Sequence, residues 1–206
     1  RDTAIEGYEN ITDIDSKMCL IGESIENIQL FLSINNPDVI GISVLFANLM
    51  DGVHQISNIA KQINPNVIIC VGGNHITNVI RDYQNGIDDL KNITNSNIDY
   101  YFIGESEKTF CDFILEKNLN GTCFWKDGKF VINEKKNGFL DISNLLKPDW
   151  ESFNMEKYFS VGLFHSAQSY SNRVLPVMAS RGCPEKCQFC TTPLTWGSKV
   201  RWTNVK

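Results

Sequence analysis

Three cysteines within eight positions, Cys183, Cys187 and Cys190, carry the strongest chemical signal in the chain. Their spacing is C-x3-C-x2-C, on the segment Cys183-Pro-Glu-Lys-Cys187-Gln-Phe-Cys190. Thiolates are the usual ligands of iron–sulfur clusters, and four of them fill a cubane. Three on one short loop hold three irons and leave the fourth open to a substrate or cofactor. Gly182 lets the backbone turn out of the preceding segment, and Pro184 stiffens the loop. The residues just before it, 174–180 (VLPVMAS), read as a buried strand, so the loop is expected at that strand's carboxyl end. Active sites of α/β barrels lie at that face. Zinc remains an alternative, although it favours four ligands, often in C-x2-C pairs. His165 or Cys123 would be the candidate fourth ligand, and neither is paired with the three by spacing.

The other cysteines, Cys19, Cys70, Cys111 and Cys123, are scattered. Seven in all, unevenly spaced, do not make a secreted disulfide scaffold. A reducing, cytoplasmic setting is the better expectation. The composition, 42% hydrophobic and 21% charged, is too apolar for general disorder. A net charge of −5 offers no basic footprint for nucleic acid. No apolar run reaches the roughly 18 residues that span a bilayer, and the start does not read as a signal peptide. The chain begins at Arg1 and stops after 202–206 without a helix stop signal, so it is expected to be a piece of a longer protein.

The elements that must position this chemistry come earlier. Residues 38–46 (DVIGISVLF) are nearly continuously apolar and β-branched, as in a strand buried on both faces. Leu49, Val53, Ile56, Ala60 and Ile63 recur at helical spacing, which predicts a helix over 48–63. A second strand is expected over 67–71, helical turns over 77–83 and 87–93, and a third strand over 99–103. Ser106 is placed to cap a helix over 107–116, and a further helix is expected over 24–35. Strand alternating with helix predicts a Rossmann-like parallel sheet, with one or two strands expected before Arg1. Residues 122–125 and 130–133 flank Asp127-Gly128, a hairpin signal. Residues 141–158 read as a wrapped linker with short helical turns. The expected organisation is an incomplete α/β domain over 1–118, a linker with a hairpin over 119–172, and the start of a second domain over 173–206.

Ligands bind such sheets at the loops following the strands. Small or polar residues gather there: Ser43 and Asn48 after the first strand, Gly72-Gly73-Asn74-His75 after the second, Gly104-Glu105 after the third. His75 reads equally as a turn histidine satisfied by backbone, and Glu105 and Glu107 as acids at a helix N-terminus.

The cysteine spacing, with Phe189 before the last cysteine, resembles the signature of the radical SAM superfamily. The DVIGIS strand, the Gly72-Gly73-Asn74-His75 turn and Gly104-Glu105-Ser106-Glu107 with Thr109-Phe110 resemble the cobalamin-binding domain that precedes the barrel in many members. That resemblance implies a [4Fe–4S] cluster on Cys183, Cys187 and Cys190 whose open iron chelates S-adenosylmethionine, with Phe189 near the adenine. It implies cobalamin among Ser43, Asn48, Gly72, Gly73, His75, Gly104 and Glu105, and an electron donor such as flavodoxin or ferredoxin. The D-x-H-x-x-G motif of the mutase type is absent: Asp51-Gly-Val-His54 has the wrong spacing. The resemblance then implies cobalt without a protein imidazole below it. The implied chemistry is radical methylation of an unactivated carbon or phosphorus centre in a small-molecule substrate. Ring closure, other oxidative outcomes, a cobalamin-free scaffold, and a non-catalytic zinc- or cobalamin-binding module remain the alternatives. In the family, later barrel strands supply substrate contacts, so this chain alone is expected not to turn over.

Overall fold

In the computed structural model, residues 11–13, 19–136, 138–161, 171 and 173–204 are described. They divide into two compact units, one of Arg1–Phe31 with Leu145–Met178, the other of Leu32–Asn144 with Ala179–Lys206. His165, considered above as a zinc ligand, lies outside the described residues.

In the first unit, β1 (Ile11–Asp13) pairs antiparallel with β2 (Cys19–Ile21). Helix α1 (Ile25–Asn35) follows, and Leu32, where the second unit begins, lies within it. The expected short turns of the linker are present as a 3-10 turn at Trp150–Ser152 and a helix at Met155–Val161. Arg173 grips Glu156 through both guanidinium nitrogens, at 2.7 and 2.8 Å, and lies 4.6 Å from the Phe159 ring centre.

The second unit holds a five-stranded sheet. Strands β3 (Val39–Ser43), β4 (Ile68–Gly72) and β5 (Tyr100–Phe102) are parallel neighbours. Two antiparallel strands, β6 (Thr122–Lys126) and β7 (Lys129–Ile132), complete it. Helix α2 (Met50–Ile63) joins β3 to β4. Helix α3 (Asn74–Gln84) leads from β4, and α4 (Glu107–Glu116) runs between β5 and β6. The strand–helix alternation therefore appears where the periodicity placed it. The second helical stretch, 87–93, contracts to a 3-10 turn at Leu90–Asn92.

Three expectations change. The hairpin is an integral edge of the sheet rather than part of a linker. Its turn takes positive φ at both Asp127 (50°) and Gly128 (73°), as a two-residue hairpin of matching twist requires. Second, β3 is half-exposed, not buried on both faces, because it forms the other edge of the sheet among the described residues. The fully buried strand is β4, whose Ile69, Cys70 and Val71 have neighbours on each side. Third, Val174, Leu175, Val177 and Met178 are exposed. A strand is buried only where neighbours cover it, and here only Ser180–Arg181 (β8) pairs, antiparallel with Arg201–Trp202 (β9).

The core is mainly aliphatic, with an aromatic cluster at one side of the sheet. Phe102 meets Phe110 and Phe113 edge-on, with ring centres 5.4 and 5.5 Å apart. The Phe110 ring lies against Gly41, where a side chain would crowd it. No helix among the described residues is long and apolar enough to cross a membrane.

Candidate functional site

Parallel strands bring their carboxyl ends to one edge, and the loops there are bonded into a single surface. Val44 N–H donates to the Gly72 carbonyl (2.8 Å), and His75 N–H donates to the Val44 carbonyl (3.1 Å). Gly73 sits at φ 106°, and a Cβ on it would overlap the Val44 carbonyl. Only glycine allows the β3 and β4 loops to approach this closely. The buried Thr77 hydroxyl donates to the Gly73 carbonyl (2.9 Å) and accepts from Gly104 N–H (2.9 Å). The loops after β3, β4 and β5 are thus tied together by short bonds. Thr77 carries no motif, and only its helical position facing the core hints at this role.

Of the candidate residues, Ser43 and Asn48 are exposed on the β3 loop, beside exposed Leu45, Phe46 and Leu49. Leu45, Phe46 and Leu49 thus form an exposed apolar rim beside the carboxyl end of β3. Gly72 at the end of β4, Gly73 and Gly104 in the loops, and His75 in the first turn of α3 are half-buried. Burial holds the His75 imidazole below its ordinary pKa, so the ring is neutral near pH 7. An apolar rim beside small residues at the strand ends suits the face of a broad macrocycle.

Glu105 behaves differently. Its carboxylate is fully enclosed and is consumed by protein partners. Arg201 Nη1 contacts both oxygens (2.8 and 3.0 Å), Arg181 Nη1 reaches Oε1 (3.1 Å), and Leu140 N–H donates to Oε2 (3.0 Å). Lys135 donates to the Glu105 carbonyl. Arg181 also pairs with Glu107 at 2.6 Å and stacks on Trp196. The Glu105 carboxylate and carbonyl are therefore both taken by protein partners rather than left for a ligand. Ser106 occupies the cap position of α4, but its hydroxyl donates to the Gly104 carbonyl instead of capping the helix.

Arg181 and Arg201 bracket the cysteine loop and fasten its stem in this unit. A Cβ on Gly182 (φ 95°) would overlap the Lys199 carbonyl, and Cys183 N–H donates to the Gly197 carbonyl (3.1 Å). Helix α5 (Thr192–Trp196), five residues long, packs along α3, and Asn78 Nδ2 donates to Thr191 Oγ1 at 3.4 Å. Residues 184–189 are exposed, and Phe189 is 90% exposed. Cys183, Cys187 and Cys190 are free thiols. The Thr192 hydroxyl and then its N–H favour the Cys190 thiolate and lower its pKa. Among the described residues, no three His, Cys, Asp or Glu are gathered about a metal position. Ligands of this kind close around their metal as it binds. The donor set, three free thiols on an exposed loop with a fixed stem, fits an iron–sulfur cluster.

An α/β sheet with its ligand edge at the carboxyl ends and an apolar rim defines a cofactor-binding module. Residues 6–114 match the B12 binding domain, and the chain belongs to that family. It is similar to cytidylyl-2-hydroxyethylphosphonate methyltransferase of Streptomyces wedmorensis, 31% identical over all of this chain and 42% of that protein. An uncharacterized methyltransferase of Pyrococcus horikoshii is 28% identical over 83% of the chain and 35% of that protein. The anaerobic magnesium-protoporphyrin IX monomethyl ester cyclase of Rubrivivax gelatinosus is 23% identical over 92% and 33%. The chain thus spans between a third and some two fifths of the length of these relatives.

Proposed function

We propose that this chain is the cofactor-binding part of a cobalamin-dependent radical SAM methyltransferase acting on an unactivated carbon or phosphorus centre of a small molecule. The observation that carries the reading is the union, in one compact unit, of a B12-family sheet edge with the stem of a C-x3-C-x2-C loop. Two of the similar proteins bear methyltransferase names, one of them acting on a phosphonate conjugate by its name. When bound, the cluster and cobalamin supply the reductive cleavage of S-adenosylmethionine and the methyl group, with electrons from a flavodoxin- or ferredoxin-like donor. The chain's own residues hold and shield. Cys183, Cys187 and Cys190 ligate iron, and Phe189 is available to stack on adenine. The Leu45, Phe46 and Leu49 rim covers the corrin and excludes water, and the loops bearing Ser43, Asn48, Gly72, Gly73, His75 and Gly104 surround it. Neutral His75 is kept able to accept a hydrogen bond. Protein placement of this kind is what cofactor chemistry asks of its host.

The similarity to a cyclase supports a second reading, in which the same cofactors drive ring closure without net methylation. To test the cofactor assignment that both readings share, the chain is reconstituted anaerobically with iron, sulfide and hydroxocobalamin, reduced with dithionite, and examined by EPR with and without S-adenosylmethionine. The reading expects a [4Fe–4S]⁺ signal lost in C183A, C187A or C190A, and tightly retained corrinoid. Stoichiometric zinc without an iron signal would overturn it in favour of a structural metal module.

A further inference from the structure

The Glu105 carboxylate is fully buried and takes four hydrogen bonds from three residues, and no part of the cofactor chemistry uses it. A buried carboxylate is costly unless every lone pair is met. Here both oxygens are met, and the partners come from distant parts of the chain: Leu140, Arg181 and Arg201. The location decides what this ion cluster does. Glu105 directly follows Gly104, whose N–H is held by Thr77, which in turn holds Gly73. Arg181 directly precedes Gly182-Cys183, the first residues of the cysteine loop. Arg201 closes the other end of that loop's stem, in the strand paired with Arg181. Its Nη2 also donates to the Trp196 carbonyl, at the end of the helix after the cysteines. Hydrogen bonds and ion pairs, linked through the Gly104–Glu105 peptide, therefore join the loops after β4 and β5 to both ends of the cysteine loop.

We infer that Glu105 is a positioning residue that latches the cysteine loop to the cobalamin-facing loops, so that filling either site preorganises the other. The inference rests on the reading above, since it needs both sites to be used. Mutual preorganisation must be reciprocal: cluster assembly tightens corrinoid binding by the same factor that corrinoid tightens cluster retention. Coupling of this kind amounts to about fivefold or more. A latch that served folding alone would lower stability and leave the two binding constants independent.

The test measures hydroxocobalamin affinity by absorbance titration of the whole chain, with and without reconstituted cluster, in wild type, E105Q and R201Q. The expected result is a wild-type affinity about fivefold or more higher with the cluster present, and a ratio near one in both variants, each cofactor still binding alone. R181Q removes one arm and leaves Arg201 on Glu105, so it folds more readily, and its ratio is expected between the two. A wild-type ratio of one, or a ratio undiminished in all three variants, overturns the latch while the cofactor reading stands. Absence of corrinoid binding in wild type overturns the cofactor reading itself, and the latch with it.

Discussion

The larger compact unit carries cysteines in two opposite settings. In the sheet, Cys70 of β4 and Cys123 of β6 are buried, and burial pushes both thiols up to about 12. In the segment beyond residue 179, Cys187 is exposed and Cys183 and Cys190 are partly so. The sheet is completed by its own packing: Ile69, Val71 and Tyr101 of the strands and Ile76 of α3 are wholly buried against protein. The cysteine loop is finished only at its stem, by Gly182, Arg181 and Arg201, and its six residues 184–189 stand in solvent. On the proposed reading, the first region presents a surface already made, and the second closes around its metal as it binds.

The largest contrast this predicts is in thiol chemistry. A thiol held near 12 instead of its ordinary 9 carries about a thousandfold less thiolate at neutral pH. Iodoacetamide on the native metal-free chain should modify Cys187 and Cys190 within minutes and spare Cys70 and Cys123 until the sheet is unfolded. Peptide mass spectrometry reads the order. Equal labelling of Cys70 and Cys190 under native conditions would show that the two regions do not differ. Reconstitution with iron and sulfide should then protect the loop thiols and leave the sheet thiols as they were.

Next in size are the two glycines that hold each region's close backbone approach. Gly73→Ala places a Cβ against Val44 at a positive φ, and Gly182→Ala does the same against Lys199. Positive φ and overpacking together cost about 3 kcal/mol. For Gly73→Ala that loss should fall on the sheet and lower Tm by roughly 6–12 °C. For Gly182→Ala it should leave the main transition near its wild-type Tm and reduce iron incorporation. A single shared loss of Tm in both variants would join the two regions into one cooperative unit.

How far the sequence alone discloses this contrast depends on the range of the interactions. Helix α4 is foreseen to the residue, Glu107–Glu116, because its apolar spacing and acidic first turn are local. The Asp127-Gly128 turn is equally local, but that its hairpin would join the parallel sheet depends on pairing Cys123 with Tyr101. The glycines of the post-strand loops could be read from type and position. The fate of Glu105 could not, since its partners lie 35, 76 and 96 positions away. The misplaced strand at 174–180 errs for the same reason: apolar composition says that a segment can be buried, and only its neighbours decide whether it is. Whether the cysteines gather is a question about a metal, and composition has no bearing on it.

A smaller effect is expected at Thr77. Thr77→Val keeps the shape and removes the hydroxyl that bridges Gly73 and Gly104. The Gly104 N–H is left without this acceptor, at a cost of about 2 kcal/mol, or roughly 4–8 °C in Tm. Because the bridge joins two ligand-facing loops, hydroxocobalamin affinity should fall as well. Retention of full affinity with the expected fall in Tm would confine Thr77 to a structural role.

The smallest effect is a pH dependence at His75. Its burial lowers the folded pKa below the ordinary value of 6.5. Between the two values the unfolded chain binds more protons than the folded one, so stability rises with pH across that interval. It flattens above about 6.5 and is diminished at every pH below the folded value. Urea midpoints should therefore fall in wild type as pH drops from about 7 to about 5.5, and His75→Gln should remove that component of the slope. A slope of opposite sign would mean that the ring keeps a partner for its positive charge. Hydroxocobalamin sharpens the measurement. A ligand that covers the Gly72–Gly73 turn desolvates the ring further and steepens the slope, because protonation then opposes binding as well as folding. A ligand bound elsewhere stabilises by the same amount at every pH and leaves the slope alone.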